Sequence, residues 1–228
     1  MARFAVIGLG RFGQTLARTL AKNGVEVVAI DSSRDMVDEV RESVTLSLRL
    51  DATDEKALQA QDIDTMDAVV IGIGEEFEAK ALVVAALKKL GVKRVICRAE
   101  SDVKAKILRA IGADEIIYPE EESALRLAQR LVAPNIVDYV ELAEGHSLVQ
   151  FEAPRIFHGK QIVELDLRRK YEVNLVAIKR RMTAKGPDGK VVYQEKIIDV
   201  PHPTDVIDPN DVLIIVGADE NILRLPRG

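Results

Sequence analysis

The chain has 228 residues, of which 47% are hydrophobic and 30% are charged, so it can bury a sizeable core and cover it with charge. Its formal net charge of −5 argues against a nucleic-acid-binding protein, because neutralising phosphates requires a clustered basic surface. The single cysteine, Cys97, excludes a disulfide framework and a CxxC pair, and its Val-Ile-Cys context favours a buried thiol.

The first half of the chain predicts alternating strands and helices. A helical pattern ends at a glycine directly before a short β-rich run at Gly24, Gly91 and Gly112. Glycine supplies the positive φ that ends a helix, and helices alternating with apolar strands are typical of parallel βαβ units. We therefore predict a doubly wound, Rossmann-like α/β domain over residues 1–118. Its predicted strands cover residues 3–7, 25–30, 44–50, 68–73, 92–97 and 115–118.

The rest of the chain predicts a connector and a second domain. Residues 119–144 are expected to be helical, with one amphipathic helix over 120–131, an interruption at Pro134 and a second short helix over 136–142. A smaller α+β domain is expected over residues 145–228. Its β-rich runs cover residues 148–152, 173–179, 190–194 and 212–216, and its turn signals are Pro187-Asp188-Gly189 and Asp208-Pro209-Asn210-Asp211.

A glycine-rich loop after the first strand predicts a nucleotide site. Gly8, Gly10 and Gly13 form a G-x-G-x-x-G motif. In such a loop the first glycine permits a tight turn, the second lets backbone approach a phosphate, and the third lets the helix pack on the strand. The second strand leads to Asp31, whose carboxylate suits the hydroxyls of a ribose. The motif alone is a weak signal, but strand, loop, helix, strand and terminal acid together are specific.

Small and polar residues recur at the carboxyl ends of the predicted strands, where a bound nucleotide would lie. Beyond the three glycines and Asp31, the residues that we expect to contact it there are Phe12, Ser32, Asp51, Ala52, Thr53, Ile73 and Gly74. Capping of the following helices is the alternative explanation for Ser33, Thr53 and Ser101. Asp31 and Asp51 are harder to explain as caps alone.

Two arginines bear on the kind of nucleotide. Arg11 follows the second glycine, where a guanidinium would reach terminal phosphates, which favours ATP or ADP over the bridged pyrophosphate of NAD. Arg98, after the fifth predicted strand, is a second phosphate ligand by the same argument. A solvated side chain is the alternative for Arg11, and a surface salt bridge is the alternative for Arg98.

The sequence lacks the usual signs of an enzyme. All three histidines, His146, His158 and His202, fall in the second predicted domain, and neither metal-binding H-x-x-H spacing nor a G-x-S-x-G elbow occurs. Hydride transfer needs a proton donor or acceptor near the cofactor, so we expect the nucleotide to be a signal. No apolar run reaches ~18 residues and no leader pattern opens the chain, so we expect a cytoplasmic protein.

Several of these motifs resemble the RCK (KTN) domain of the cytosolic gating subunits of Ktr and Trk potassium uptake systems. The resemblance rests on the Gly8–Gly13 loop, Asp31, Asp51-Ala52-Thr53 and residues 111–120, and it extends to the C-terminal RCK domain through residues 159–168 and 211–217. The Arg-Phe form of the loop is closer to the Ktr subunits than to the NAD-type Trk subunits.

The resemblance implies a homodimer that assembles into an octameric ring at the inner face of the membrane, beneath a membrane-embedded potassium channel or transporter. Arg11 would face terminal phosphates, Asp31 the ribose, and Asp51 and Ala52 the adenosine. Glu120 matches a position where a carboxylate joins magnesium or another cation between nucleotides. The alternative for Glu120 is an acid that complements the helix dipole.

In the second domain, Ile162, Val163, Asp166 and Arg168 match positions at which some family members bind cyclic di-AMP. The alternative is that Ile162 and Leu165 are core while Asp166 and Arg168 are solvated. Residues 182–206 form a longer segment than in many members.

Two other functions compete with gating. An NAD(H)-dependent oxidoreductase would require an acid–base group near the glycine loop. A redox-sensing, NAD(H)-binding regulator of transcription would require a DNA-reading helix, which the acidic balance and β-rich second half do not suggest.

Overall fold

The computed structural model describes residues 2–132, 135–185 and 191–226, and the chain divides into two compact units between Glu121 and Glu122. The Rossmann-like prediction for the first unit is confirmed: one parallel 6-stranded sheet has the order β3-β2-β1-β4-β5-β6. Its strands are β1 (Arg3–Ile7), β2 (Glu26–Asp31), β3 (Leu46–Arg49), β4 (Ala68–Ile71), β5 (Val95–Arg98) and β6 (Glu115–Ile117). Its helices are α1 (Arg11–Lys22), α2 (Arg34–Val40), α3 (Glu55–Gln59), α4 (Phe77–Lys89) and α5 (Asp102–Ile111).

The sheet is parallel and covered by helices because its central strands are apolar and are buried on both faces. In β1, Ala5 and Ile7 belong to the core layer that includes α4 and α5 residues, whereas Val6 belongs to the layer beneath α1 and α2. The strand order reverses between β1 and β4, which opens a crevice at the carboxyl ends of the strands. The glycine loop follows β1 directly, so the fold places it at this crevice.

The second unit contains an antiparallel 5-stranded sheet with the order β10-β9-β11-β8-β7. Its strands are β7 (Ile136–Ala143), β8 (His146–Glu152), β9 (Asn174–Lys185), β10 (Val191–Ile198) and β11 (Asp211–Ala218). A long helix, α6 (Pro119–Val132), leads into the unit, and the short helices are α7 (Ile162–Leu165), α8 (Leu167–Tyr171) and α9 (Asp219–Ile222). The core contains inward-facing side chains of the sheet, such as Phe151, Ile178 and Leu213.

The predicted helix over residues 136–142 is wrong, and within the expected helical segment 119–144 the structure describes a helix over Pro119–Val132. Residues 136–143 form β7, which pairs antiparallel with β8. The segment is rich in β-branched and aromatic residues, and Gly145 takes a φ of +73° in the turn that joins the two strands. Hairpin pairing stabilises the extended form, whereas short apolar runs fit a helix and a strand equally well by periodicity.

Other boundaries shift by a few residues. The third and fifth strands begin at Leu46 and Val95, later than predicted, while β9 and β10 extend beyond the predicted runs. The predicted turn at Asp208 forms, since the Asp211 amide donates to the Asp208 carbonyl at 3.1 Å. The predicted turn at residues 187–189 lies outside the described residues. In the described ranges, no helix is both long enough and apolar enough to span a bilayer.

Candidate functional site

The glycine loop adopts the geometry that its sequence predicts. Gly8 has a φ of +91°, and a Cβ there would lie 2.6 Å from the Ile73 amide nitrogen. A Cβ on Gly13 would lie 1.9 Å from the Gly8 carbonyl oxygen, so the start of α1 packs directly on the loop. A Cβ on Gly10 would meet nothing within 4 Å. Gly8 and Gly13 are therefore required by packing, whereas Gly10 borders open space that a phosphate could occupy.

The start of α1 is suited to an anion. Its N-cap residue is Gly10, which has no side chain to cap the helix, and its first turn contains no acidic residue. The first amide groups of a helix lack intrahelical acceptors, and they carry the positive end of the helix dipole. A phosphate beside Gly10 would satisfy these amides.

Asp31 fastens the loop and borders the cleft. Its Oδ2 accepts a hydrogen bond from the Leu9 amide at 2.6 Å, and its Oδ1 accepts one from the Ser33 amide at 2.8 Å. A carboxylate has about four lone-pair sites, so both oxygens retain acceptor capacity. The half-buried carboxylate therefore holds together the loops that follow β1 and β2, and it remains able to accept hydrogen bonds from ribose hydroxyls.

A cleft of about 450 Å³ lies at this edge of the sheet, within the usual size range of ligand sites. It brings together most of the predicted contacts: Gly8, Gly10, Asp31, Ser32, Asp51, Ala52, Thr53, Ile73, Gly74 and Arg98. Three predicted residues do not line it. Gly13 packs beneath the loop, Phe12 lies against Gly72, and Arg11 is exposed at the first position of α1.

Six residues that also line the cleft were not among the predicted contacts: Ile7, Leu50, Gly72, Glu76, Ala79 and Val83. Ile7 and Leu50 sit at or beside strand ends, so the predicted strands already indicated their position. Ala79 and Val83 are one turn apart on α4. Their position at the cleft depends on how α4 packs against the sheet, which the sequence pattern does not show.

Asp51 is fixed at the third strand end by Thr53. Its Oδ1 accepts a hydrogen bond from the Thr53 hydroxyl at 2.7 Å and from the Thr53 amide at 2.9 Å. These bonds, the hydroxyl first, lower the pKa of Asp51 from its ordinary value. Thr53 does not cap the next helix: Asp54 does, through bonds from the Lys56 and Ala57 amides. The capping alternative for Thr53 is therefore wrong.

Arg98 lines the cleft and forms an ion pair with Glu120. Arg98 Nη2 lies 2.6 Å from Glu120 Oε1, and the side chains are 18% and 64% exposed respectively. Arg98 Nε is buried and has no hydrogen-bond partner in the parts of the chain that the structure describes. Both earlier alternatives for Arg98, a phosphate ligand and a salt-bridge partner, are thus compatible with its position.

An ion pair next to the backbone of Arg98 had no sequence signal. Lys80 of α4 is fully buried and pairs with Glu100, which also accepts a hydrogen bond from Lys104 at 3.1 Å. Burial raises the pKa of Glu100, but the bonds and charges of the two lysines outweigh it, so the net pKa is lowered. Burial also raises the pKa of the nearby Cys97 thiol to about 12.

In the second unit, the four residues predicted to bind a cyclic dinucleotide share a groove. Ile162, Val163, Asp166 and Arg168 line a space of about 370 Å³ that is completed by Leu167, Leu175, Pro201 and Pro203. Asp166 joins α7 to α8 with a φ of 47°. Ile162 packs against the core while Val163 is 58% exposed. The groove therefore combines an apolar floor with one acidic and one basic side chain.

Among the described residues, no group of three or more His, Cys, Asp or Glu side chains could hold a metal ion. The histidines lie in the second unit, where His158 Nε2 is 2.8 Å from the Ala153 carbonyl oxygen. The ionisable groups that line the cleft of the first unit are Asp31, Asp51, Glu76 and Arg98.

Two protein-family models match the chain: the TrkA-N domain over residues 4–119 and the TrkA-C domain over residues 147–226. The Ktr system potassium uptake protein C of Bacillus subtilis (strain 168) is 39% identical over 224 residues, which cover 98% of this chain and 96% of the relative. The Ktr system potassium uptake protein A of the same bacterium is 32% identical, over 97% of this chain and 94% of the relative.

Solved structures show the same fold. The GsuK RCK domain superposes with a TM-score of 0.52 at 23% identity, over 97% of this chain and 45% of its own. A GsuK channel bound to NAD gives a TM-score of 0.54 at 23% identity, over 98% of this chain and 37% of its own, so this chain spans less than half of both. The TrkA-N domain of the Escherichia coli inner membrane protein ybaL gives 0.51 at 26% identity, over 57% of this chain and 96% of its own.

Proposed function

The chain belongs to the family that combines TrkA-N and TrkA-C domains, together with the Ktr potassium uptake proteins, and on that premise we propose that it is a nucleotide-sensing regulatory subunit of a potassium channel or transporter. The observation that supports this function most is the cleft in the first unit. There Gly10 leaves open space at an uncapped helix start, and Asp31 lines the same cleft beside the glycine loop.

The ligand is an adenine nucleotide, preferentially ATP or ADP. The amides beside Gly10 hold phosphates, Asp31 accepts bonds from the ribose, and Asp51 and Ala52 contact the adenosine. Arg11 faces the terminal phosphates, a role supported by its exposure at the first position of α1. NAD(H) is the competing ligand, since a GsuK channel of the same fold is bound to NAD.

Two further ligands follow from the family assignment. Glu120 joins magnesium or another cation, with nucleotide phosphates completing the coordination shell, because one carboxylate is a poor magnesium site by itself. Cyclic di-AMP binds in the groove of the second unit. The presence of Ile162, Val163, Asp166 and Arg168 around one space supports that choice.

The subunit acts at the cytoplasmic face of the membrane through its partner, a membrane-embedded potassium channel or transporter. Homodimers assemble into an octameric ring. A ligand gates such a partner only by binding one ring arrangement more tightly than another. Exchanging ATP for ADP removes negative charge near Arg11, so the two nucleotides interact differently with this residue. This difference shifts the equilibrium between the ring arrangements.

We infer that the subunit is not an enzyme. The ionisable groups that line the cleft are three carboxylates and one arginine, and the lining lacks histidine, the most frequent general acid–base group. An NAD(H)-dependent oxidoreductase or redox-sensing regulator would take up the same cofactor, and nucleotide turnover would distinguish it.

Potassium uptake by the reconstituted system tests the proposal. Arg11→Ala and Asp31→Ala should each weaken the response of uptake to ATP and ADP, while Lys22→Ala, an exposed charge at the other end of α1, should leave it unchanged. An unaltered nucleotide response in both Arg11→Ala and Asp31→Ala would refute the assigned roles of these two residues in nucleotide sensing.

A further inference from the structure

We propose that Glu120 competes with nucleotide phosphate for Arg98, so that a phosphate bound in the cleft releases the Glu120 carboxylate. This inference rests on the proposed nucleotide-binding function of the cleft. It concerns one pair of side chains in the first unit, the Arg98–Glu120 pair.

Arg98 is positioned to bind an anion in the cleft. It is the last residue of β5 and lines the cleft, and its guanidinium is mostly withdrawn from solvent, with 18% of the side chain exposed. Its buried Nε finds no acceptor among the residues that the structure describes. A buried donor without a partner costs free energy, and a phosphate oxygen is the kind of acceptor that would remove this cost.

The backbone beneath this guanidinium is also fixed. The Lys80 ammonium donates a hydrogen bond to the Arg98 carbonyl at 3.4 Å while it pairs with Glu100. Lys80 is fully buried, so this support is shielded from water. Arg98 is therefore held at the cleft from the main-chain side, and only its side chain is free to change partners.

Glu120 is a partner that Arg98 can exchange. Its carboxylate accepts a hydrogen bond from Arg98 Nη2 at 2.6 Å, yet the Glu120 side chain is 64% exposed. Because the Glu120 carboxylate is largely exposed, water solvates it well once it separates from Arg98, so the pair contributes little net free energy. A phosphate carries more negative charge and can bind the guanidinium through two nitrogens, whereas Glu120 contacts Arg98 through Nη2, so phosphate displaces the carboxylate.

Phosphate and Glu120 therefore oppose each other at Arg98, both as rival acceptors and as like charges. Such antagonism is reciprocal: phosphate binding weakens the Arg98–Glu120 pair, and loss of Glu120 strengthens phosphate binding. Glu120 lies in the first turn of α6, so its carboxylate is released at a helix start beside the phosphates. The released carboxylate can then bind the cation proposed for Glu120. Glu120 therefore has two alternative partners, Arg98 and the cation.

The test measures dissociation constants of ATP, ADP and adenosine for the full chain by calorimetry, with EDTA present to remove divalent cations. Glu120→Gln should tighten ATP and ADP binding by about two- to fivefold, which corresponds to the net value of an exposed ion pair. Adenosine, which lacks phosphate, should bind as before. Glu121→Gln is the matched control, because it removes the same charge from the same exposed helical turn.

A second pair of variants identifies Arg98 as the shared partner. Arg98→Ala should weaken ATP and ADP binding, and adding Glu120→Gln to it should produce no further change. Unaltered or weakened ATP binding by Glu120→Gln, or an equal gain from Glu121→Gln, would overturn the competition alone. If the wild-type chain binds none of the three compounds, both the competition and the nucleotide function fail.

Discussion

The buried Lys80–Glu100 pair predicts an asymmetric response to mutation. Glu100→Ala removes the carboxylate and leaves a fully buried ammonium whose remaining described acceptor, the Arg98 carbonyl, is 3.4 Å away. Breaking a buried pair from one side costs about 3–5 kcal/mol. Because the Glu100 side chain is 24% exposed, we expect the low end, about 3 kcal/mol in the free energy of unfolding.

The opposite substitution should be much milder. Lys80→Met removes the buried charge and keeps a flexible side chain of similar volume, while Glu100 retains its bond from Lys104 at 3.1 Å. We expect a loss below about 1.5 kcal/mol, because apolar replacement of a buried ion is often close to neutral. Adding Lys80→Met to Glu100→Ala should recover at least about half of the lost stability, since no buried charge is left unpaired.

Urea unfolding followed by circular dichroism measures these differences, as the chain has no tryptophan to report by fluorescence. The lowered pKa of Glu100 adds a pH signature. Its stabilisation is present above the unfolded pKa of about 4.3 and is lost as pH falls through the lower folded pKa. The wild type and Glu100→Ala should therefore converge in acid. Equal losses from Glu100→Ala and Lys80→Met, or no recovery in the double variant, would refute this reasoning.

Three other predictions concern the first unit. Gly13→Ala should strongly destabilise the protein and abolish nucleotide binding, because its Cβ would lie 1.9 Å from the Gly8 carbonyl oxygen; thermal unfolding and calorimetry measure both effects. The Gly10→Ala variant should have an unchanged melting temperature but should bind ATP more weakly, since its methyl group would occupy the open space proposed to hold phosphate. Cys97, with a pKa raised to about 12 by burial, should resist iodoacetamide at pH 8 until urea unfolds the chain, and rapid native labelling would contradict its burial.

The sequence was sufficient to predict the first unit and much of its cleft. Apolar strands, glycine helix ends and the Gly8–Gly13 loop are local signals, and the doubly wound topology then requires the strand ends to meet. Asp31 was predicted as a nucleotide contact, but its bonds to two backbone amides were not, because they depend on how the loops after β1 and β2 approach each other.

The features that the sequence did not predict are of two kinds: side-chain pairs that are distant along the chain, and segments whose periodicity fits both a helix and a strand. Lys80 lies in an apolar helical run, and its partner Glu100 is 20 residues away in the loop after β5, so only the fold reveals the pair. Arg98 and Glu120 are separated by 22 residues for the same reason. The second unit was harder to predict: β7 had a helical pattern, and its groove residues were identified only through resemblance, since apolar positions such as Ile162 fit any core.

Direct titration of the full chain with ATP, ADP and NADH by calorimetry, for the wild type and Asp31→Ala, tests the central claim. We expect saturable binding of ATP and ADP, tighter than that of NADH. In Asp31→Ala the affinity should fall by about tenfold or more, because the variant loses both the hydrogen bonds that hold the loop and the acceptor for the ribose. Absence of adenine-nucleotide binding, or equal affinity of the wild type and Asp31→Ala, would contradict a nucleotide-sensing cleft at this site.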